Sequence, residues 1–351
     1  MSKKNTTSEK QSMMFGVEIC LAHLSEMGDS LEKVEALMDW EMFRPLICKL
    51  VRKDDYSKGG RPPYDEILMF KIILLQSWNN MSDDRTEYLI NCRLDWIRFL
   101  GVQVGEKLPD SKTIWHFKER LGDEGARELF DLFNKKLYDL GFISREGSMV
   151  DSTFVDVPRQ RNTREENEKI KNGEVSEEWL LPEKAHKLSQ KDVDARWAKK
   201  GDEVHYGYKS HDKVDRDSKM VVDYTVTSAS AHDVTAFVGL VGGDDVAVWA
   251  DSAYSSREHE AQIREKNPGV VLHVCEKGRR GNPLTDEQRA SNRVKSKVRC
   301  RVEHVFGYMS RFMGGISLRT IGLKRARRGV GLMSLAYNIR RSVCILMKQA
   351  A

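Results

Sequence analysis

The sequence predicts an all-helical N-terminal region followed by an α/β domain built on a mixed five-stranded sheet flanked by helices. Three observations carry that expectation. Apolar residues recur at helical spacing through residues 13–52 and 64–140. After Gly141 the pattern shifts to short runs rich in Val, Thr and Phe, the composition of strands. Those runs arrive in the order strand, strand, strand, helix, strand, helix, strand, helix, a meander followed by alternating units. At 351 residues, 40% hydrophobic and 32% charged with 8 Pro, the chain is long enough for two folded domains and too apolar for disorder.

In the first region, Leu31, Val34, Leu37, Met38 and Phe43 make up much of a buried helical side, with Asp29 or Ser30 as its cap. The linker DDYSKGGRPP (54–63) breaks the pattern with two Gly and two Pro. Asp65-Glu66 then opens a helix carrying Ile67, Leu68, Phe70, Ile72, Leu74 and Leu75. A second runs from Asp83-Asp84 to a Gly stop near Leu100-Gly101. Pro109-Asp110-Ser111 caps a third over 113–122, and Glu124 to Leu140 forms a fourth. Short helices joined by tight turns suit a helix-turn-helix DNA reader, and equally a plain helical bundle.

The strands follow: 147–157, 205–211 and 220–228, the last two joined by a turn at 215–219. Segment 159–203 between them is highly charged, reads as strand-free and looks like a surface excursion. A helix over 232–242, a buried strand at 246–251, a helix from about Arg257 and a strand at 270–274 come next. One long helix is expected from Thr285 or Asp286 to about Arg311, and Ala336–Lys348 closes the domain. This order is the layout of the RNase H-like fold, though strand periodicity alone admits other α/β sheets. The expected domains are 1–60 (helices and linker), 61–142 (helical, DNA-binding) and 143–348 (catalytic, with the 159–203 insertion).

Charge and cysteine usage exclude several classes. The six Cys show no C-x-x-C pair, so they read as reduced, mostly buried thiols in a cytoplasmic protein, not as zinc ligands. No apolar stretch reaches the roughly 18 residues of a membrane span, and the polar MSKKNTTSEKQS start is no secretory signal. The net charge of +5 is unevenly spread: residues 277–348 hold 18 Lys+Arg and 3 Asp+Glu. A basic block of that density, with apolar positions at helical spacing, points to a folded surface for nucleic acid.

Three carboxylates stand in unusual places. Asp151 lies inside the strand MVDSTFV, where a buried charge needs a partner or a metal; its plain alternative is a solvent-facing position, and Asp156 is a decoy nearer the strand end. Asp251 follows the apolar run VAVWA, at the carboxyl end of a strand where α/β proteins bind ligands; it could equally cap a turn. Glu303 is the sole acid from residue 288 to 351. It lies one residue from the stripe Val294, Val298, Val302, Val305, Met309, and four residues after Arg299, with which it could form a mere intrahelical pair. Three hard oxygen donors suit Mg²⁺ or Mn²⁺, and two such ions can activate the attacking oxygen and stabilise the leaving oxygen of a phosphodiester.

The stretches GRPPYDEILMFKIILLQSWNNMSDDRTEYLI, VDSTFV, YGYKSH, T-x-A-x-x-HD (Thr227, Ala229, His232, Asp233), ADSAYSS and RVEHVFG together resemble bacterial insertion-sequence transposases, closest to the IS-five group of DDE transposases. The resemblance runs from about residue 26 to 348. It implies an RNase H-like domain that cuts and joins DNA with divalent metal, Mg²⁺ or Mn²⁺ and two ions, held by Asp151, Asp251 and Glu303. Arg299 maps onto a basic position that would contact phosphate. The Tyr and Lys that the wider superfamily places near the glutamate are here Ser296 and Ser310, with Arg311 adjacent. Lys209, Lys295, Arg301 and Arg311 are further expected DNA contacts. His232 and Asp233 read as a helix-starting cap, and Trp249 as core.

The implied chemistry is water attack at the transposon end, freeing a 3′ hydroxyl that then attacks target DNA. Partners would be double-stranded DNA, as terminal inverted repeats and target, and a second copy of the chain. Two rivals share these residues: an RNase H-fold nuclease without strand transfer, and a domesticated DNA-binding regulator.

Overall fold

A computed structural model describes residues 16–52, 62–144, 146–175, 177–278 and 280–349. Residues 13–15 of the first expected helical region and most of the 54–63 linker lie outside them. The chain divides into two compact units, residues 1–76, 81–120 and 339–351 in one and 77–80 and 121–338 in the other.

The first unit is helical, with α1 (Gly16–Glu26), α2 (Ser30–Leu37), a 3-10 turn Trp40–Phe43 and α3 (Arg44–Val51), then α4 (Glu66–Asn79), α5 (Asp83–Cys92), α6 (Leu94–Leu100) and the start of α7 (Ser111–Asp139). Asp29 caps α2 by accepting the Leu31 N–H at 2.8 Å, and Asp110 accepts the Thr113 N–H at 2.8 Å. Leu31, Val34 and Phe43 are buried, but Leu37 ends its helix on the surface. The helix expected from Asp83 to Leu100 is interrupted: Arg93 is extended, and its Nε donates to Asp95 at 2.9 Å. Gly101 stops α6 in the left-handed conformation that favours glycine. Lys71 is buried; it pairs with Glu35 at 2.7 Å and lies over the Trp40 ring at 5.1 Å. Gly122 breaks α7 between the two helices that the sequence separates there.

The second unit is the α/β domain. Its strands are β1 (Ser148–Asp156), β2 (Arg196–Lys200), β3 (Glu203–Asp215), β4 (Val221–Ser228), β5 (Ala247–Ala250) and β6 (Val271–Val274). The sheet runs β3-β1-β5-β6, with β1 antiparallel to β3 and parallel to β5. β4 and β2 pair end to end along the outer side of β3. Without β2, the order β4-β3-β1-β5-β6 is that of a meander followed by crossovers.

The sixth strand is the departure from expectation. β2 lies within the segment that read as strand-free, and its residues Arg-Trp-Ala-Lys-Lys lack apolar alternation. Such a strand is tolerated at an edge, where charged side chains stay in water. β3 changes partners at Gly207, whose φ is +146°, and a Cβ there would come 2.4 Å from the Val155 carbonyl oxygen. The rest of the insertion holds α8 (Arg164–Lys171), capped by a Thr163–Glu166 box. Its anchor is Asp192, 1% exposed. That carboxylate accepts from the Tyr208 hydroxyl at 2.7 Å, from the Asp194 and Ala195 amides, and from the Gly322 amide at 3.0 Å.

Helices cover both faces of the sheet around β1 and β5. α9 (Asp233–Leu240) and α10 (Arg257–Lys266) bury Phe237, Leu240 and Ile263 against Val150, Val248, Ala250 and Val274. α11 (Asp286–Arg299) packs on β1 and β5. The single helix expected there is broken by a 3-10 turn, Cys300–Val302, before α12 (Glu303–Phe312). The break ends the buried stripe: Val302, Val305 and Met309 are buried, but Val294 is 67% exposed. The last helix, α13 (Leu323–Gln349), starts well before Ala336. Among the cysteines only Cys275 is buried, so the thiols are free but mostly accessible. Among the described residues no helix is long and apolar enough to cross a membrane.

Replacing Asp192 with Ala leaves four donors without their acceptor. The loss of stability should be about 3 kcal/mol, read as a lower urea midpoint with an unchanged m value.

Candidate active site

The site begins where β5 ends. The last rung between β1 and β5 pairs Val150 with Ala250. The next residue on each strand is an aspartate, Asp151 and Asp251. Side chains alternate across a sheet, so Val150 and Ala250 enter the core under α9 and α10 while both aspartates emerge on the opposite face, towards α11. Beyond that rung β1 continues against β3 only, and β5 turns away into the 3-10 turn Ser252–Tyr254.

Each aspartate spends one oxygen locally. Asp151 Oδ1 accepts the Ser152 amide at 2.8 Å, and Asp251 Oδ1 accepts the Ala253 amide at 2.7 Å. The turn-capping alternative for Asp251 is therefore real, and it also fixes the carboxylate. The solvent-facing alternative for Asp151 is not: its side chain is 17% exposed. Burial raises its pKa above the usual carboxylate range, and the negative charge of Asp251 adds to that. The Ser152 amide, Arg299 and Lys200 pull it down.

Glu303 opens α12 and is 64% exposed. Arg299 stands between it and Asp151: Nη1 donates to Asp151 Oδ2, and Nη2 lies 3.9 Å from Glu303 Oε1. The intrahelical pair foreseen for Arg299 and Glu303 is present, but loose. The two aspartates are thus side by side, with the glutamate one guanidinium away. Among the described residues no three His, Cys, Asp or Glu side chains converge closely enough to hold a metal ion.

The other expected DNA contacts divide. Lys209 is turned inwards, donating to the Ala231 carbonyl at 3.0 Å and pairing with Asp233 at 2.9 Å. Lys295 donates to the Val274 carbonyl at 2.9 Å. Arg301 and Arg311 are exposed, as are Arg293 and Lys297 on α11. Asp156 is half-exposed at the strand end and holds His205 at 3.2 Å. Trp249 is only half-buried, stacked on His273 with ring centroids 4.5 Å apart.

Four further residues have surroundings that the sequence reading did not give them. Asp233 is not a cap: it takes Lys209 and the Ser152 hydroxyl at 3.3 Å, while His232 makes no capping bond. It thereby holds the backbone next to Asp151 from behind the sheet. His211 in the same cluster is fully buried, and its pKa is pushed down to about 4 by that burial. Lys200, at the end of β2, is near enough to act on the Asp151 charge. Asp212 pairs across strands with Asp151 and is 2% exposed, its carboxylate taking the Ser210 hydroxyl at 2.6 Å. Burial pushes its pKa up to about 7, with the charges of Asp223 and Asp151 adding to it. The signal for Asp212 was present as an acid inside a strand, the same signal that singled out Asp151.

A meander-first mixed sheet of order β4-β3-β1-β5-β6, with an aspartate after the last rung of each parallel strand, has the layout expected of an RNase H-like domain. Comparison with known proteins is more specific. Residues 144–339 match the family described as "Transposase DDE domain", and residues 19–120 match "Transposase domain (DUF772)". The chain belongs to the DDE transposase family of insertion-sequence type. Membership implies dependence on a divalent metal. Among solved structures the chain is similar to one titled "Cryo-EM structure of piggyBac transposase synaptic complex with hairpin DNA (SNHP)". The identity is 12% over 92% of this chain and 76% of that one, with a TM-score of 0.43.

Asp212 makes a pH prediction with a definite sign. Burial makes the folded protein keep its proton up to about 7, whereas the unfolded chain releases it near the ordinary aspartate value of 3.8. Between those values unfolding releases a proton, so this group's contribution to stability falls as pH rises. His211 acts oppositely between about 4 and 6.5, so the two must be separated by substitution. Asp212→Asn should be more stable than the wild type at pH 8, on the order of 3 kcal/mol. That margin should shrink towards pH 5 in paired urea titrations.

Proposed function

We propose that the chain is a transposase whose Asp151, Asp251 and Glu303 cleave insertion-sequence ends and join them to target DNA. The observation that supports this reading is the register of β1 and β5, whose last rung, Val150 with Ala250, is followed on each chain segment by an aspartate, Asp151 and Asp251. The donor set fits a divalent cation of the Mg²⁺ or Mn²⁺ type: hard carboxylate oxygens, one of them in a setting where burial and a neighbouring negative charge disfavour ionisation. Asp151, Asp251 and Glu303 would hold the metal, two ions in our reading. When bound, it would supply activation of the attacking oxygen and charge stabilisation of the leaving one.

The chain's own groups do the rest. The Ser152 and Ala253 amides orient the two aspartates. Asp233, through Ser152 and Lys209, steadies β1 from the far face. Exposed Arg301 and Arg311 approach the phosphate backbone, and their contacts are sequence-independent and salt-sensitive. Water is the first nucleophile and the freed 3′ hydroxyl the second, with the same carboxylates serving both. Pairing two DNA ends calls for two copies of the chain. The sequence motifs favour the IS-five group within the family.

Asp151→Ala, Asp251→Ala and Glu303→Ala should each lower cleavage of end-labelled terminal repeats by ~100-fold or more, with DNA binding kept within a few-fold. Strand-transfer products, visible in the same gels for the wild type, should vanish together with cleavage. Retained cutting by any one variant removes that residue from the site.

Arg301→Ala and Arg311→Ala should weaken binding to specific and random duplexes alike. Each should reduce the slope of log K against log salt by about one, measured by fluorescence anisotropy between low and moderate salt.

A further inference from the structure

We propose that Arg299 is a placeholder cation for the acid site: without DNA its guanidinium occupies Asp151 and engages Glu303, and it must leave before metal binds tightly. This deepens the reading above and rests on Asp151, Asp251 and Glu303 being the metal-holding acids.

The geometry argues for a placeholder over a permanent strut. Arg299 touches carboxylates on two different elements, β1 and the start of α12, 148 residues apart for the Asp151 contact. Its contact with Asp151 is direct, but that with Glu303 is at the outer limit of an ion pair, and Glu303 is largely exposed. A strut would be expected to hold both ends firmly. Arg299 is also the last residue of α11, just before the 3-10 turn Cys300–Val302 that separates it from Glu303. That turn puts Arg299 and Glu303 on separate helical segments.

The charges argue the same way. Asp151 is 17% exposed beside Asp251, and a buried carboxylate near a like charge needs a compensating cation. A guanidinium keeps its charge at any accessible pH, so it can serve that need continuously. The same planar fork also matches phosphate oxygens. DNA entering along the exposed Arg293, Lys297 and Arg301 would therefore offer Arg299 a second partner and release Asp151 and Glu303 together. Metal and Arg299 compete for the same oxygens, whereas DNA and metal assist one another. That coupling is reciprocal by linkage.

The test is Mn²⁺ binding by the full-length protein, followed by electron paramagnetic resonance, with and without a short duplex. Without DNA, Arg299→Gln should bind Mn²⁺ about 10-fold more tightly than the wild type. Adding duplex should tighten Mn²⁺ binding in the wild type and change it little in the variant. Arg264→Gln, exposed on α10 on the other face of the sheet, should match the wild type. If Arg299→Gln does not fold, Arg299→Lys serves: it keeps the charge but loses the fork, and should also bind Mn²⁺ more tightly. Equal or weaker Mn²⁺ binding by the folded Arg299 variant, or a wild-type affinity indifferent to DNA, overturns the proposal. Mn²⁺ binding that survives Asp251→Ala in both backgrounds instead overturns the acid-site reading, and this proposal with it.

Discussion

The parallel pairing of β1 with β5, and the point at which it stops, is the constraint on which the site depends. Val150, Val248 and Ala250 are locked into one apolar core with Phe237, Leu240 and Ile263. Because side chains alternate along a strand, a slip of one residue would send both aspartates into that core and the valines to the opposite face. The hydrophobic effect therefore sets the register, and the register places two carboxylates side by side. No specific interaction between Asp151 and Asp251 is required, and their mutual repulsion is overcome by the packing behind them.

That repulsion has consequences across the face of the sheet. Asp151, Asp251 and buried Asp212 crowd one region, and the first is already disfavoured as an anion. Arg299 and Lys200 supply positive charge, one from the end of α11 and one from the edge hairpin. The hairpin belongs to the charged insertion, which gains a structural meaning here. Asp192 ties it to Tyr208 in β3 and to the Gly322 amide just before α13. It is an anchored extension of the sheet, and its basic end bears on the acid site.

Much of this was legible along the chain. Asp151 and Asp251 stand out because an acid within or directly after an apolar strand is costly unless it has work to do. Glu303 stands out because no other acid lies near it in a basic segment. Helices and most strands followed from periodicity, since buried and exposed faces repeat at 3.6 or 2 residues. Failures came where local pattern and tertiary environment part. The strand Arg196–Lys200 has no buried face, so alternation could not reveal it. Val294 sits on the apolar side of its helix by spacing but is exposed, because the helix breaks at Cys300 and the core begins only with Val302. Lys209 and Lys295 look like phosphate ligands, but their neighbours in space are carbonyls and Asp233.

The amino-acid order by itself determined the fold class, most of the elements in their order and three candidate acids, because hydrophobic periodicity and the cost of a buried charge are local properties. It also placed the chain among insertion-sequence transposases through motifs spread over most of its length. Only the tertiary structure decided what stands next to those acids: Arg299 between Asp151 and Glu303, Asp212 across the rung, Asp233 and His211 behind the sheet, Lys200 from the insertion. Apart from Arg299 and Glu303, four residues apart on neighbouring turns, each of these pairings joins residues distant in the chain. They depend on strand register and on where a helix breaks, and such quantities emerge only when the whole core is packed.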